Sequence, residues 1–151
     1  MGFFMNKSLF IAFFIVALTG SLFADEKAKP AAEKQLSFKE YAEHLMLPKN
    51  TSLHVKNFWA KTKSKIYTWK GKVVDVKGGR GKAEIHVANG ESPLSKGYNI
   101  ILVTYHMDKA AALKVGQEIK FKGQVYNYKG RRGNPIIVYM NNVELLPLDA
   151  K

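Results

Sequence analysis

Between residues 36 and 147 the spacing of apolar positions changes from a helical to a strand period. "LSFKEYAEHL" sets Phe38, Tyr41, Ala42 and Leu45 on one helical face. Ser37 and Glu40 hold the Ser-x-x-Glu spacing in which each side chain satisfies the other's free backbone N–H, and Leu36 and Tyr41 occupy hydrophobic-staple positions. Pro48 closes this helix. A second helix is predicted from about Ser52, with Val55, Phe58 and Trp59 as its apolar stripe, fading at Lys61, Lys63 and Lys65. At that spacing the aromatics read as core.

From Ile66 the period drops to two. "IYTWKGKVVDV" is rich in β-branched and aromatic residues, and Gly71 inside it marks a bulge or bend. "GGRG" is a turn. In "KAEIHVA", Ala83, Ile85 and Val87 fall on one side and Lys82, Glu84 and His86 on the other. After a loop, "NGESPLSKG", comes the nearly continuous apolar strand "YNIILVTYHM". "DKAAALKVG" fits a short helix with Asp108 as N-cap and Gly116 just past its end. "QEIKFKGQVYNY" then turns Ile119, Phe121, Gly123 and Val125 inward and Glu118, Lys120, Lys122 and Gln124 outward, and "PIIVYMNNVELL" is the last strand.

Three strands, a short helix and two strands, the first strand bent, form the element order of the OB-fold, a five-stranded Greek-key barrel. The expected class is mainly β with N-terminal helices: a helical segment over 36–65 and the barrel over 66–147. Another small β-barrel and a split α+β sheet are the alternatives. Within this region "WKGKVVDV", "LKVGQEIKFKGQV" and "VYMNNVEL" resemble bacterial OB-fold domains of the tRNA-anti-like group. In those domains a Gly-x-Val strand opens the barrel, a Leu-x-x-Gly turn leads into the fourth strand, and an Asn-bearing fifth strand closes it. The resemblance implies a non-catalytic barrel of a kind that commonly binds nucleic acid. It does not reach the helices.

The start of the chain changes the setting. Residues 1–24 carry Lys7, an apolar run from Leu9 to Leu18 and then small residues, the layout of a secretory signal peptide. That run is shorter than the roughly 20 residues of a membrane span. Cleavage fits after Ala24 or after Ser21, and an uncleaved anchor is the remaining reading. Residues 25–35, "DEKAKPAAEKQ", read as a flexible leader. The expected location is outside the cytoplasm, periplasmic or secreted. Without cysteine, lipid attachment through that residue and disulfides are both excluded.

The 151 residues suit one domain with a core, and 24 Lys+Arg against 12 Asp+Glu give a net charge of +12. Such a surface favours polyanions, nucleic acid or anionic glycan among them, although a lysine-rich surface also simply aids solubility. All three arginines lie in two glycine breaks, "KGGRGK" and "NYKGRRGN", the loops joining strands 1 to 2 and 4 to 5. Those loops, with strands 2 and 3, build the ligand surface of an OB-fold. Arginine offers a planar donor fork and a flat stacking face. The candidate ligand-binding residues are therefore Arg80, Lys82, His86, Tyr126, Tyr128, Lys129, Arg131 and Arg132. Solvated glycine turns are the plain alternative.

Catalytic constellations are missing from the sequence. Thiol chemistry and cysteine zinc sites need a residue the chain lacks. His44, His54, His86 and His106 show no His-x-x-x-His spacing, although His86 and His106 could meet across strands 2 and 3. Asp75, Glu84 and Glu91 are scattered among lysines where a nuclease would cluster carboxylates around a metal. "GGRG" lacks the Gly-Lys-Ser/Thr ending of a phosphate loop. A binding protein without cofactor or metal is expected. An envelope module docking another protein through Phe58, Trp59 or a sheet edge is the alternative.

Overall fold

The computed structural model describes residues 35–130, 132 and 134–148. The predicted signal peptide and all of the leader but Gln35 lie outside the described residues. The elements run α1 (Phe38–Leu45), α2 (Ser52–Thr62), β1 (Ile66–Gly78), β2 (Ala83–Ala88), β3 (Ile100–Thr104), α3 (Met107–Ala111), β4 (Glu118–Lys129) and β5 (Ile137–Leu146). The strands close into a barrel in the order β1-β2-β3-β5-β4, with β3 and β5 parallel and the other pairs antiparallel. This is an OB-fold.

Strand β1 serves both halves of the barrel. Ile66 to Lys72 pair with β4, and Lys72 to Gly78 pair with β2. The change of partner falls beside Gly71. A Cβ there would overlap Val87 Cγ1 and lie 2.8 Å from the carbonyl oxygen of Ala88. The glycine answers a need for space where β1 passes from its β4 partner to β2. A slip in the β1–β2 register between Val73 and Asp75 then reverses the alternation, so that Val76 turns back toward the core.

The helical segment shares the barrel's core. Ser37 and Glu40 form the reciprocal capping box, and Phe38, Tyr41, Ala42 and Leu45 are all buried. Phe38 meets Trp69 edge to face at 5.2 Å, and Tyr41 meets Tyr67 at 5.0 Å. Each fully buried large side chain contributes on the order of 2–3 kcal/mol of transfer free energy. Backbone bonds fix the junction: Ser64 N–H donates to the Val125 carbonyl at 2.8 Å, and Val125 N–H donates to that of Lys65 at 3.1 Å. Phe58 and Trp59 are spent inward, Phe58 against Tyr41 and Trp59 against Tyr128.

Two elements differ from expectation. Strand β3 covers only Ile100–Thr104. Tyr98 lies in a separate bridge with Ser95, and Asn99 is wholly buried, its side chain bonded to the backbone of Asn89 and Ser92. Helix α3 begins at Met107 with His106 in the N-cap position, so Asp108 lies inside the helix and does not cap it. The cause is Thr104, whose hydroxyl accepts the N–H of His106 at 3.1 Å and starts the turn early. Gly116 is several residues beyond the helix, at φ 83°, with its N–H bonded to the Val73 carbonyl.

Candidate ligand-binding face

The outer face of β3 is apolar. Ile100 and Leu102 point into the core, so Ile101 and Val103 point outward, yet they are only 5% and 7% exposed. They form the floor of a face bordered by rings. Register places His86 of β2 opposite Ile101, and Tyr139 of β5 beside Ile101 on the other flank. The His86 ring lies 4.3 Å from that of Tyr98. Tyr139 meets Tyr126 of β4 edge to face at 6.2 Å, and the Lys129 ammonium stands 5.3 Å from the Tyr139 ring centre. A cation over a ring face in this way is held by the ring's quadrupole.

His86, expected as an outward ligand contact, is 5% exposed. Burial holds its pKa below the usual histidine value, helped by the positive Lys77, while Asp75 and Glu84 partly oppose the shift. At neutral pH it therefore presents an uncharged ring. Burial raises the Tyr126 pKa, with Glu84 and Tyr139 adding to the rise and Lys129 opposing it. Both rings are thus uncharged at neutral pH, and that of His86 is covered by Tyr98.

Tyr128 is a correction. A register slip between Val125 and Asn127 leaves Tyr126 as the extra residue of a bulge, which reverses the alternation. Tyr128 then pairs with the buried Val138 and packs on the core, where it meets Trp59 at 4.8 Å. It belongs to the anchor of the helical segment and not to the ligand face. A second slip, opposite Gly123, is absorbed by Asn142 at φ 49°. Asparagine tolerates that left-handed conformation better than most residues.

The basic loops bracket this face. Gly79 N–H donates to the Lys82 carbonyl at 2.8 Å, closing a turn with exposed Arg80 at its tip and Gly81 at φ 72°. Because Ala83 pairs with Thr104, Arg80 and Lys82 lie at the C-terminal end of β3. Lys129 pairs with Ile137, and Ile100 with Val138, so the β4–β5 loop lies at the N-terminal end of β3. Exposed Arg132 borders a recess there with Pro48, Thr51 and Ser52. Arg131 lies outside the described residues. Five residues of β3 separate the two ends by about 17 Å. Arg80 and Arg132 thus do not converge on one point.

Tyr98 and Tyr139 were not among the expected contacts. Tyr139 was legible, since it alternates with the buried Ile136, Val138 and Met140. Tyr98 was not, because it read as part of a strand. His86 and His106 do not pair. Instead His44 Nδ1 and His54 Nε2 lie 3.1 Å apart, joining α1 to α2 above the Phe58 ring. No cluster of three or more potential metal ligands occurs among the described residues.

No protein-family model matches the chain, and no curated protein matches it in sequence. Solved structures do match. A "putative nucleic acid-binding lipoprotein" of Klebsiella pneumoniae aligns at a TM-score of 0.53 and 13% identity, over 75% of this chain and 91% of that one. An OBody bound to hen egg-white lysozyme aligns at 0.40 and 15% identity, over 57% and 85%. The Stn1–Ten1 complex of S. pombe aligns at 0.36 and 15% identity, over 54% and 57%. At these identities the likeness is one of fold.

Proposed function

We propose that this is an exported, non-enzymatic OB-fold protein that binds a polyanion, with single-stranded nucleic acid as the ligand class. The carrying observation is the face over β2, β3, β5 and β4, where Tyr126, Tyr139 and Tyr98, the last packed over the buried His86, surround the apolar floor of Ile101 and Val103, with Lys129 over Tyr139. Bases stack on such rings whatever their sequence, while lysine and arginine follow the phosphates. Arg80 and Lys82 at one end and Arg132 at the other suit a strand laid across the face. Nucleic-acid binding is also the type for which the Klebsiella pneumoniae protein is described, and it accords with the tRNA-anti-like resemblance of β1, β4 and β5.

One feature favours this reading over a protein-docking module: Phe58 and Trp59 are engaged within the fold. Export rests on the sequence of residues 1–24; no helix among the described residues is long and apolar enough to cross a membrane.

The test is fluorescence anisotropy with single-stranded DNA across a salt series, in competition with an anionic polysaccharide of matched charge. Binding to DNA is expected to fall steeply with salt, and the polysaccharide to compete weakly. Absence of DNA binding at low salt overturns the proposal. Stronger binding to the polysaccharide replaces the ligand class.

A further inference from the structure

Strands β3 and β5 run side by side only from Ile100 and Val138 to Leu102 and Met140. Beyond that point Asn142 takes its left-handed turn, and β5 continues alongside β4, with Glu144 opposite Lys122. Strand β3 ends at Thr104 and the chain bends into α3. The two strands part, and a cleft of about 450 Å³ opens between them. Tyr105, His106 and Lys109 line one side of it, and Asn142 and Glu144 the other. An adjoining, more enclosed recess of about 70 Å³ shares Thr104, His106, Lys109, Val143 and Glu144 with it and adds Ile85, Ala110 and Leu145.

We propose that this cleft is a base pocket at one end of the stacking face and that it selects guanine. The inference rests on the nucleic-acid reading and adds a specificity to it. The cleft is continuous with the face through Val103, which belongs to both. Its volume falls within the range of roughly 300–1,000 Å³ usual for small-molecule sites. Tyr105 is 71% exposed at its rim, so one ring face is open for stacking.

The choice of base follows from Glu144. An acid in a groove that receives phosphates repels them, unless it meets a donor of the ligand. An ionised carboxylate only accepts hydrogen bonds, and it accepts two parallel ones best. Guanine alone offers two adjacent donors on its pairing edge, N1–H and the N2 amino group. Adenine and cytosine set a ring acceptor beside their amino group, and thymine or uracil sets its single N–H between two carbonyls. Across the cleft, Lys109 and His106 are placed for the nucleotide's phosphate. Among the described residues, no hydrogen bond or ion pair engages the Glu144 carboxylate or the Lys109 ammonium.

The experiment compares oligo-dT strands carrying a single guanine, adenine or cytosine near one end, by anisotropy at fixed salt. The guanine strand is expected to bind about tenfold tighter, in line with one good bidentate contact to a base. Glu144→Gln, which exchanges one acceptor for a donor, should erase that preference. Oligo-dT should bind the variant slightly more tightly, because an anion has left the groove. Thermal unfolding of the variant confirms that the exposed substitution leaves the fold intact. Equal, salt-sensitive binding of all strands by the unaltered protein overturns the guanine pocket and leaves the nucleic-acid reading standing. A preference that survives Glu144→Gln overturns the role of that carboxylate. No binding of any strand overturns the nucleic-acid reading itself.

Discussion

Tyr126 and Tyr128 lie two positions apart on β4, yet their rings serve opposite sides of the sheet: Tyr126 meets Tyr139 on the outer face, and Tyr128 meets Trp59 against the core. The bulge at Tyr126 separates them. Replacing each in turn should therefore divide binding from stability. Tyr128→Ala removes core packing and is expected to cost about 2–3 kcal/mol, read as a fall of roughly 10 °C or more in melting temperature, with DNA affinity retained below the transition. Tyr126→Ala should leave the melting temperature within a few degrees and weaken binding by about 1–3 kcal/mol, the usual worth of one stacked base. Equal effects of the two variants on both readouts would contradict the assigned faces.

Gly71 gives a prediction about the barrel alone. A larger residue must displace Val87 or the Ala88 backbone, and backbone held in a strand ladder yields poorly. Gly71→Val is expected to destabilise by about 2–3 kcal/mol, the range of core overpacking, which exceeds the spread of intrinsic strand propensity of about 1 kcal/mol. Gly90, where an added Cβ meets nothing, serves as the control and should tolerate alanine. Urea melts of the two variants decide the matter.

The strand order, the capping box and the inward set of β4 were legible because each follows from local chemistry: period-two alternation, reciprocal capping, and glycine at a bend. The bulges were not. A bulge inserts one residue without changing composition, and only the partner strand reveals which residue is extra. This is why Tyr128 read as a ligand contact. His86 read as exposed because alternation assigns a side of the sheet and says nothing of a ring that folds over that side, as Tyr98 does. His44 and His54 are brought together by helix packing, which no spacing in the sequence records. The β3–β5 cleft likewise depends on where two strands part.

Burial of His86 makes stability depend on pH. Its folded-state pKa lies below the unfolded value of about 6.5, so in mildly acidic solution the unfolded chain binds more protons than the folded one. The contribution of neutral His86 is fully present above that value. It declines as pH falls below about 6.5 toward the lower folded-state pKa. Asp75 and Glu84 lessen the effect by favouring the charged form, while Lys77 strengthens it. His86→Gln should flatten the fall in unfolding free energy between about pH 6.5 and 5 relative to the unaltered protein. Parallel profiles for the two proteins would remove His86 as the cause.

The basic loops are tested by comparing charge at equal number. Replacing Arg80, Arg131 and Arg132 by alanine removes three positive charges from the loops that bracket the face; replacing Lys61, Lys63 and Lys65 removes the same charge from α2 and the residues after it. Because Arg80 and Arg132 lie at opposite ends of β3, each should meet a different phosphate of the same strand. The arginine variant is then expected to lose clearly more affinity than the lysine variant. Its salt dependence should flatten by about 0.7 in logarithmic slope for each phosphate of a single strand that is no longer neutralised. A strand too short to span about 17 Å of β3 should respond to only one of the single replacements, Arg80→Ala or Arg132→Ala, while a longer strand responds to both. Stability should change by no more than about half a kcal/mol for each of Arg80→Ala and Arg132→Ala, as is usual for exposed positions. Equal losses in the two triple variants would mean that binding follows net charge alone, and the bracketing loops would then have no particular part in it.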